Sequence, residues 1–172
     1  VIKKLLGFAR QQTQITDSLN INEMIVNVYK LLEYKFKQKQ AIVTLNLLED
    51  IPAICADNQL IQEVIMNILI NAFDAVSENG RIEIKSGIRD DKHIFFSIND
   101  NGIGLKENEL EKIFDPFYTT KDPGEGTGLG LWVSLGIVEN HNGQIEVKSI
   151  PNKETIFTVI LPTEVKYENN AG

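Results

Sequence analysis

The spacing of apolar residues changes period several times along the chain, and each change marks an element. From the first residue to about position 17, Ile2, Leu5, Leu6 and Phe8 fall on one side of a helix. That stripe is too short and narrow to fold alone, so the segment reads as the end of something longer. A second helix opens near Asn22, the expected cap, and carries Ile25, Val26, Val28, Tyr29, Leu31 and Leu32. The basic run from Lys35 to Lys39 closes it and suits the negative end of the helix dipole. From Ala41 to Leu48 the period shortens to two, as in a strand. Pro52 and the Asp57-Asn58 pair then break the chain before a long helix, about Gln59 to Ser77, apolar enough to be nearly buried.

Beyond Asn79-Gly80 the pattern predicts two strands, Arg81 to Gly87 and His93 to Asn99, joined as a hairpin by Arg89-Asp90-Asp91-Lys92 and ended by Asp100 to Gly104. Residues 105 to 127 hold a short helical stretch and then a run rich in Gly, Pro and Thr. That is long for a connection inside a domain, and it reads as a lid. A helix from about Gly128 to His141 stops at Asn142-Gly143, and strands Gln144 to Ser149 and Thr155 to Leu161 follow. The tail after Pro162 is polar. Helices alternating with hairpins predict an α/β fold: a two-layer α/β sandwich with a mixed, mostly antiparallel sheet and helices packed on one face.

Composition narrows the picture. A chain of 172 residues suits one domain. No apolar run approaches the roughly 18 to 20 residues that span a bilayer, so this segment is expected to be soluble and cytoplasmic, without direct membrane contact, even where the full-length protein is membrane-anchored. A single cysteine, Cys55, forms no internal disulfide and no ligand cluster. The net charge of −7 argues against nucleic acid as a partner, so any phosphate bound here is held locally.

Four stretches carry candidate chemistry. On the long helix, Glu63, Asn67, Asn71 and Asp74 recur at spacings of four, four and three, which puts them on one face about 80° wide. Such a stripe is either a solvated face or a set of hard oxygen ligands for Mg²⁺. Asp100-Asn101-Gly102-Ile103-Gly104 follows a strand; the carboxylate suits the exocyclic amine of adenine, and the glycines permit close backbone approach to a flat ring, although an ordinary Asn-Gly turn reads the same way. Gly124-Glu125-Gly126-Thr127-Gly128-Leu129-Gly130-Leu131 opens a helix, where free amides and the dipole could hold a polyphosphate. It matches neither a Walker loop nor a dinucleotide fold, and its plain alternative is a flexible linker. Finally, Phe114-Asp115-Pro116-Phe117-Tyr118-Thr119-Thr120-Lys121 places two rings and an ammonium in the expected lid; its plain alternative is a hydrophobic anchor.

Together and in this order, the four resemble the nucleotide-binding boxes of the histidine-kinase branch of the gyrase, Hsp90, histidine kinase and MutL superfamily. Asn67-Ile68-Leu69-Ile70-Asn71-Ala72 looks like the asparagine box, and Asp100 to Gly104 like the first glycine box. Phe114 to Lys121 resembles the phenylalanine box, and Gly126 to Leu131 the second glycine box. The similarity runs from about residue 22 to 162. It implies a catalytic domain over 21–163 that uses ATP and Mg²⁺, a polar tail at 164–172, and in 1–20 the end of a dimerisation and phospho-acceptor hairpin with its linker. By the same resemblance Asn71 ligates Mg²⁺ with Asn67 beside it and Asp74 on the same face, and Asp100 accepts from adenine. Gly102, Ile103 and Gly104 line the base pocket. Phe117, Lys121 and the run Gly126, Thr127, Gly128, Leu129, Gly130 and Leu131 surround the phosphates. Thr158 helps to hold adenine through water. Asn67, Asn71 and Lys121 carry catalysis. One departure is that Lys153-Glu154, rather than a glycine, precede Thr155.

The implied activity is transfer of the γ-phosphoryl group to a histidine of a dimerisation domain in a homodimer, and from there to a response-regulator receiver domain, in a bacterial two-component system. The superfamily's ATPases carry a general-base Glu one turn before the metal ligand; Asn67 cannot take a proton, so hydrolysis is expected to be slow. The acceptor is not expected within this sequence, where His93 and His141 both read as structural. Two alternatives are a serine kinase of the anti-sigma type, disfavoured by the helical stub at 1–20, and a nucleotide-dependent interaction switch without kinase activity.

Overall fold

Alternating burial along five strands explains how they assemble. A computed structural model describes residues 17–121 and 126–163. Strands β1 (Asp17–Leu19) and β3 (Ile54–Ala56) form a two-stranded antiparallel sheet. Strands β2 (Ile42–Asn46), β4 (Arg81–Asp90), β5 (His93–Asp100), β7 (Glu154–Pro162) and β6 (Gln144–Ile150) form the main sheet in the order β2-β4-β5-β7-β6. β2 runs parallel to β4, and the other pairs are antiparallel. On β5 the inward residues are Ile94, Phe96, Ile98 and Asp100, facing Leu161, Val159, Phe157 and Thr155 of β7.

Three longer helices cover that inward face, and a short α3 (Glu107–Leu110) precedes the lid. Helix α1 (Ile21–Gln38) is capped by Asn20, whose side chain accepts from the Asn22 amide, so the start lies two residues before the expected cap. Asn22 instead makes tertiary bonds: its amide donates to Leu48 O at 2.7 Å, and its Oδ1 accepts from Ser86 Oγ at 2.6 Å. Leu31, assigned by period to the apolar stripe, is 72% exposed, because the buried row runs Ile21, Met24, Ile25, Val28, Leu32, Phe36.

Helix α2 (Asn58–Ala75) is capped by Asp57, which accepts from the amides of Gln59 and Leu60. It buries Ile61, Val64, Ile65, Ile68, Leu69 and Ala72. Each large side chain among them contributes about 1.5–3 kcal/mol of burial. Helix α4 (Gly130–Asn140) starts two residues later than expected, since Gly128 adopts φ +66° and Leu129 is the cap. His141 ties its end to α2: Nδ1 donates to Ile137 O at 2.8 Å and Nε2 accepts from the Asp57 amide at 3.1 Å.

Most of the expected N-terminal helix lies outside the described residues. Asp17–Leu19, placed by the sequence reading within the helix and linker, is strand β1. The polar tail at 164–172 and Gly124-Glu125 also lie outside the described residues. Among the described residues no helix is long and apolar enough to cross a membrane.

Candidate functional site

The inward face of β5 ends, after three apolar residues, on a carboxylate. Asp100 is 2% exposed, and its Oδ1 accepts from the Gly102 amide at 2.9 Å. Burial raises its pKa to about 6, with the Gly102 bond acting in the opposite sense. Thr155, its cross-strand partner on β7, is also buried. Both line a cleft of about 440 Å³, a size that suits a small-molecule ligand. Ile70, Ile103, Leu105, Ile113, Leu131 and Phe157 make its apolar walls.

Helix α2 supplies one polar wall. Asn67, Asn71 and Asp74 line the cleft, whereas Glu63 is exposed and lies outside it. Asn67 Nδ2 donates to Gly130 O and to Ser134 Oγ, both at 3.2 Å, which braces α2 against the start of α4. Asn71 Oδ1 lies 3.5 Å from Lys121 Nζ, and Asp74 Oδ2 lies 2.5 Å from it. These two hard oxygens therefore already hold a cation, and both suit a divalent one. Among the described residues no group of three or more His, Cys, Asp or Glu could hold a metal unaided.

Opposite stands the segment from Tyr118 to Lys121, with Gly126 to Gly128 returning to α4. Phe117 and Gly128 pinch the base of this excursion: the Phe117 amide donates to Gly128 O at 2.9 Å. A Cβ on Gly128 would strike the Phe117 backbone, and both residues have positive φ. Gly128, Gly130 and Leu131 line the cleft at the start of α4, where the first amides have no intrahelical partner and the dipole favours an anion.

Four expected site residues stand elsewhere. Thr158 lies on the opposite face of β7 from Thr155, three positions away where side chains alternate with period two; Thr155 lines the cleft in its place. Phe117 is 64% exposed at the lid's base and does not line the cleft. Gly102 is also outside the lining. Its lack of a Cβ serves packing, because an added one would meet the Ala75 carbonyl, which bonds the Ile103 amide at 3.2 Å. Leu129 caps α4 with its amide on Thr127 Oγ1 at 3.3 Å, outside the lining. The cleft brings together Asn67, Asn71, Asp74, Asp100, Ile103, Gly104, Lys121, Gly126, Thr127, Gly128, Gly130 and Leu131. The cleft also takes in Thr119, Thr120 and Thr155, which carry no assigned role in the sequence; alternation along β7 puts Thr155 on the face of Phe157 and Val159.

Residues 56–165, which include α2, the cleft walls and the last strand, match the model of the histidine kinase-, DNA gyrase B-, and HSP90-like ATPase family. The chain belongs to that family. Sporulation kinase E of Bacillus subtilis (strain 168) is 36% identical over 169 residues, covering 98% of this chain and 22% of that protein. The signal transduction histidine-protein kinase AtoS of Escherichia coli (strain K12) is 38% identical over 162 residues, covering 94% of this chain and 26% of that protein. The chain thus spans about a quarter of the length of these relatives. Among solved structures, the catalytic domain of histidine kinase ThkA superimposes with a TM-score of 0.77 at 32% identity, over 86% of this chain and 95% of that one. ThkA in complex with the response regulator TrrA superimposes at 0.76 and 26% identity, over 95% of this chain and 46% of that one. In this family member the Asn67 side-chain amide is engaged with α4.

Proposed function

We propose that this domain binds Mg-ATP and delivers the γ-phosphoryl group to a histidine of a separate dimerisation domain, in a two-component pathway. The observation that carries this reading is the pairing, in one cleft, of a buried carboxylate at the end of β5 with the amide-lined face of α2 and the N-terminus of α4. Asp100 accepts from the adenine amine, and Ile103, Gly104 and the apolar walls hold the ring, with Thr155 beside Asp100. The amides at Gly128, Gly130 and Leu131 face the phosphates. Lys121 reaches the terminal phosphate. Asn71 would hold Mg²⁺, whose charge offsets that of the phosphates.

In the transfer, a neutral imidazole nitrogen of the acceptor bonds to the γ-phosphorus while the bond to the β-γ bridging oxygen breaks. ADP leaves, and the imidazole's other nitrogen sheds its proton to solvent. The chain's own contribution is alignment and charge neutralisation, since a neutral imidazole is already nucleophilic. Asn67 accepts no proton, which disfavours activation of water. The relatives' names support histidine as acceptor, and the ThkA complex supports a response-regulator receiver as the next partner. Residues 21–163, with β1 joined to them through β3 and Asn20 capping α1, then form the catalytic domain.

Calorimetric titration tests the reading. Mg-ATP is expected to bind and Mg-GTP to bind at least tenfold more weakly, because guanine presents a carbonyl oxygen to Asp100 where adenine presents a donor. Absence of binding at millimolar Mg-ATP by the folded protein overturns the assignment.

A further inference from the structure

Lys121 and Asp74 face each other across the mouth of the cleft with side chains 31% and 37% exposed. The ammonium has three donors; one lies 2.5 Å from Asp74 Oδ2 and the nitrogen is 3.5 Å from Asn71 Oδ1. The Lys121 backbone amide donates to Thr119 Oγ1 at 3.2 Å. In the nucleotide-bound reading the same lysine neutralises a terminal phosphate, and Asn71 Oδ1 holds a divalent cation. Both roles cannot be filled while the ammonium rests between those oxygens.

We propose that Asp74 is a positioning residue that holds Lys121 against α2 in the nucleotide-free protein, so that ATP binding exchanges the lysine from a carboxylate to a phosphate. This rests on the nucleotide reading. The exchange runs downhill in charge, because a terminal phosphate carries more negative charge than a carboxylate. It also frees Asn71 Oδ1 for the divalent cation that arrives with the phosphates. Asp74 thereby competes with ATP for Lys121 rather than adding to its affinity.

Two measurements test this, with thermal melting to verify that each variant is folded. Without nucleotide, the rate of amine acylation at Lys121, read by peptide mass spectrometry against Lys112, is expected to rise about three- to fivefold in Asp74→Asn, a change typical of losing a half-exposed ion pair. Asp74→Glu should restore the slow rate. An unchanged rate in Asp74→Asn overturns the proposal. With nucleotide, Asp74→Asn should tighten Mg-ATP binding about three- to fivefold, and this gain should vanish in a Lys121→Met background. Weaker binding in Asp74→Asn, or a gain that persists without the lysine, overturns the exchange. A wild-type chain whose labelling behaves as expected but which binds no Mg-ATP sinks the nucleotide reading and leaves the positioning role of Asp74 intact.

Discussion

At the residue scale, Asp100 works against stability. Its folded pKa of about 6 stands above its ordinary value of 3.8 because burial penalises the carboxylate. The folded state therefore holds the proton more tightly than the unfolded one. The associated stability is fully present below about pH 4 and is lost as pH rises through 6, a difference on the order of 3 kcal/mol. Asp100→Asn keeps an oxygen for the Gly102 amide and removes the buried charge. It is expected to raise the unfolding free energy at pH 7.5 by up to about 3 kcal/mol, with the gain shrinking below pH 6 and vanishing near pH 4, as read by denaturant unfolding at several pH values. The same variant should lose at least tenfold in Mg-ATP affinity, since hydrogen bonds to charged groups are the stronger class. A variant that is more stable and still binds ATP normally would remove Asp100 from base recognition. For the wild type, ATP affinity should fall as pH drops below 6, where the acceptor becomes protonated.

At the scale of elements, α2 and α4 are joined at two points along their length. Asn67 reaches Gly130 and Ser134 near the start of α4, and His141 beyond its end reaches the Asp57 amide at the cap of α2. The geometry assigns His141 the neutral tautomer with its proton on Nδ1. Removing the ring in His141→Ala takes the partner from the part-buried Asp57 amide, while the Ile137 carbonyl keeps the His141 backbone amide, at a cost of about 1–3 kcal/mol, seen as a lower denaturant midpoint with unchanged slope. An equal midpoint would show that water replaces the ring. These ties were not legible in the sequence, because a lone histidine after a helix and an asparagine on a polar stripe look the same whether braced or solvated. The helices themselves were legible where many residues shared a period, as in α2. Strands β1 and β3 were not, since three residues are too few to alternate, and the parallel pairing of β2 with β4 depends on tertiary closure. Thr155 shows the finest limit: alternation fixes which residues of β7 share a face, but only Asp100 across the sheet identifies which face meets the cleft.

At the scale of the whole molecule, helices cover one face of the sheet and the cleft opens at the end where β5 and β7 meet α2 and α4. Nothing in that cleft can accept a phosphoryl group as histidine. The sequence contains His93 and His141 alone. His141 is buried with both ring nitrogens engaged, and His93 is paired through Nδ1 with Asp90 at 2.8 Å; neither lines the cleft. On the proposed kinase reading, transfer needs a nucleophile roughly 3–3.5 Å from phosphorus and in line with the leaving oxygen, so the acceptor would be brought by another domain to the mouth between Lys121 and α2. The 172-residue chain incubated with γ-labelled ATP is therefore expected to yield no acid-labile phosphohistidine, and to label the histidine of a dimerisation domain supplied in trans. Self-labelling that survives replacement of His93 would mean that His141 leaves its buried brace, contrary to the structure. A trans domain that stays unlabelled although Mg-ATP binds would favour a nucleotide-driven interaction switch over a kinase.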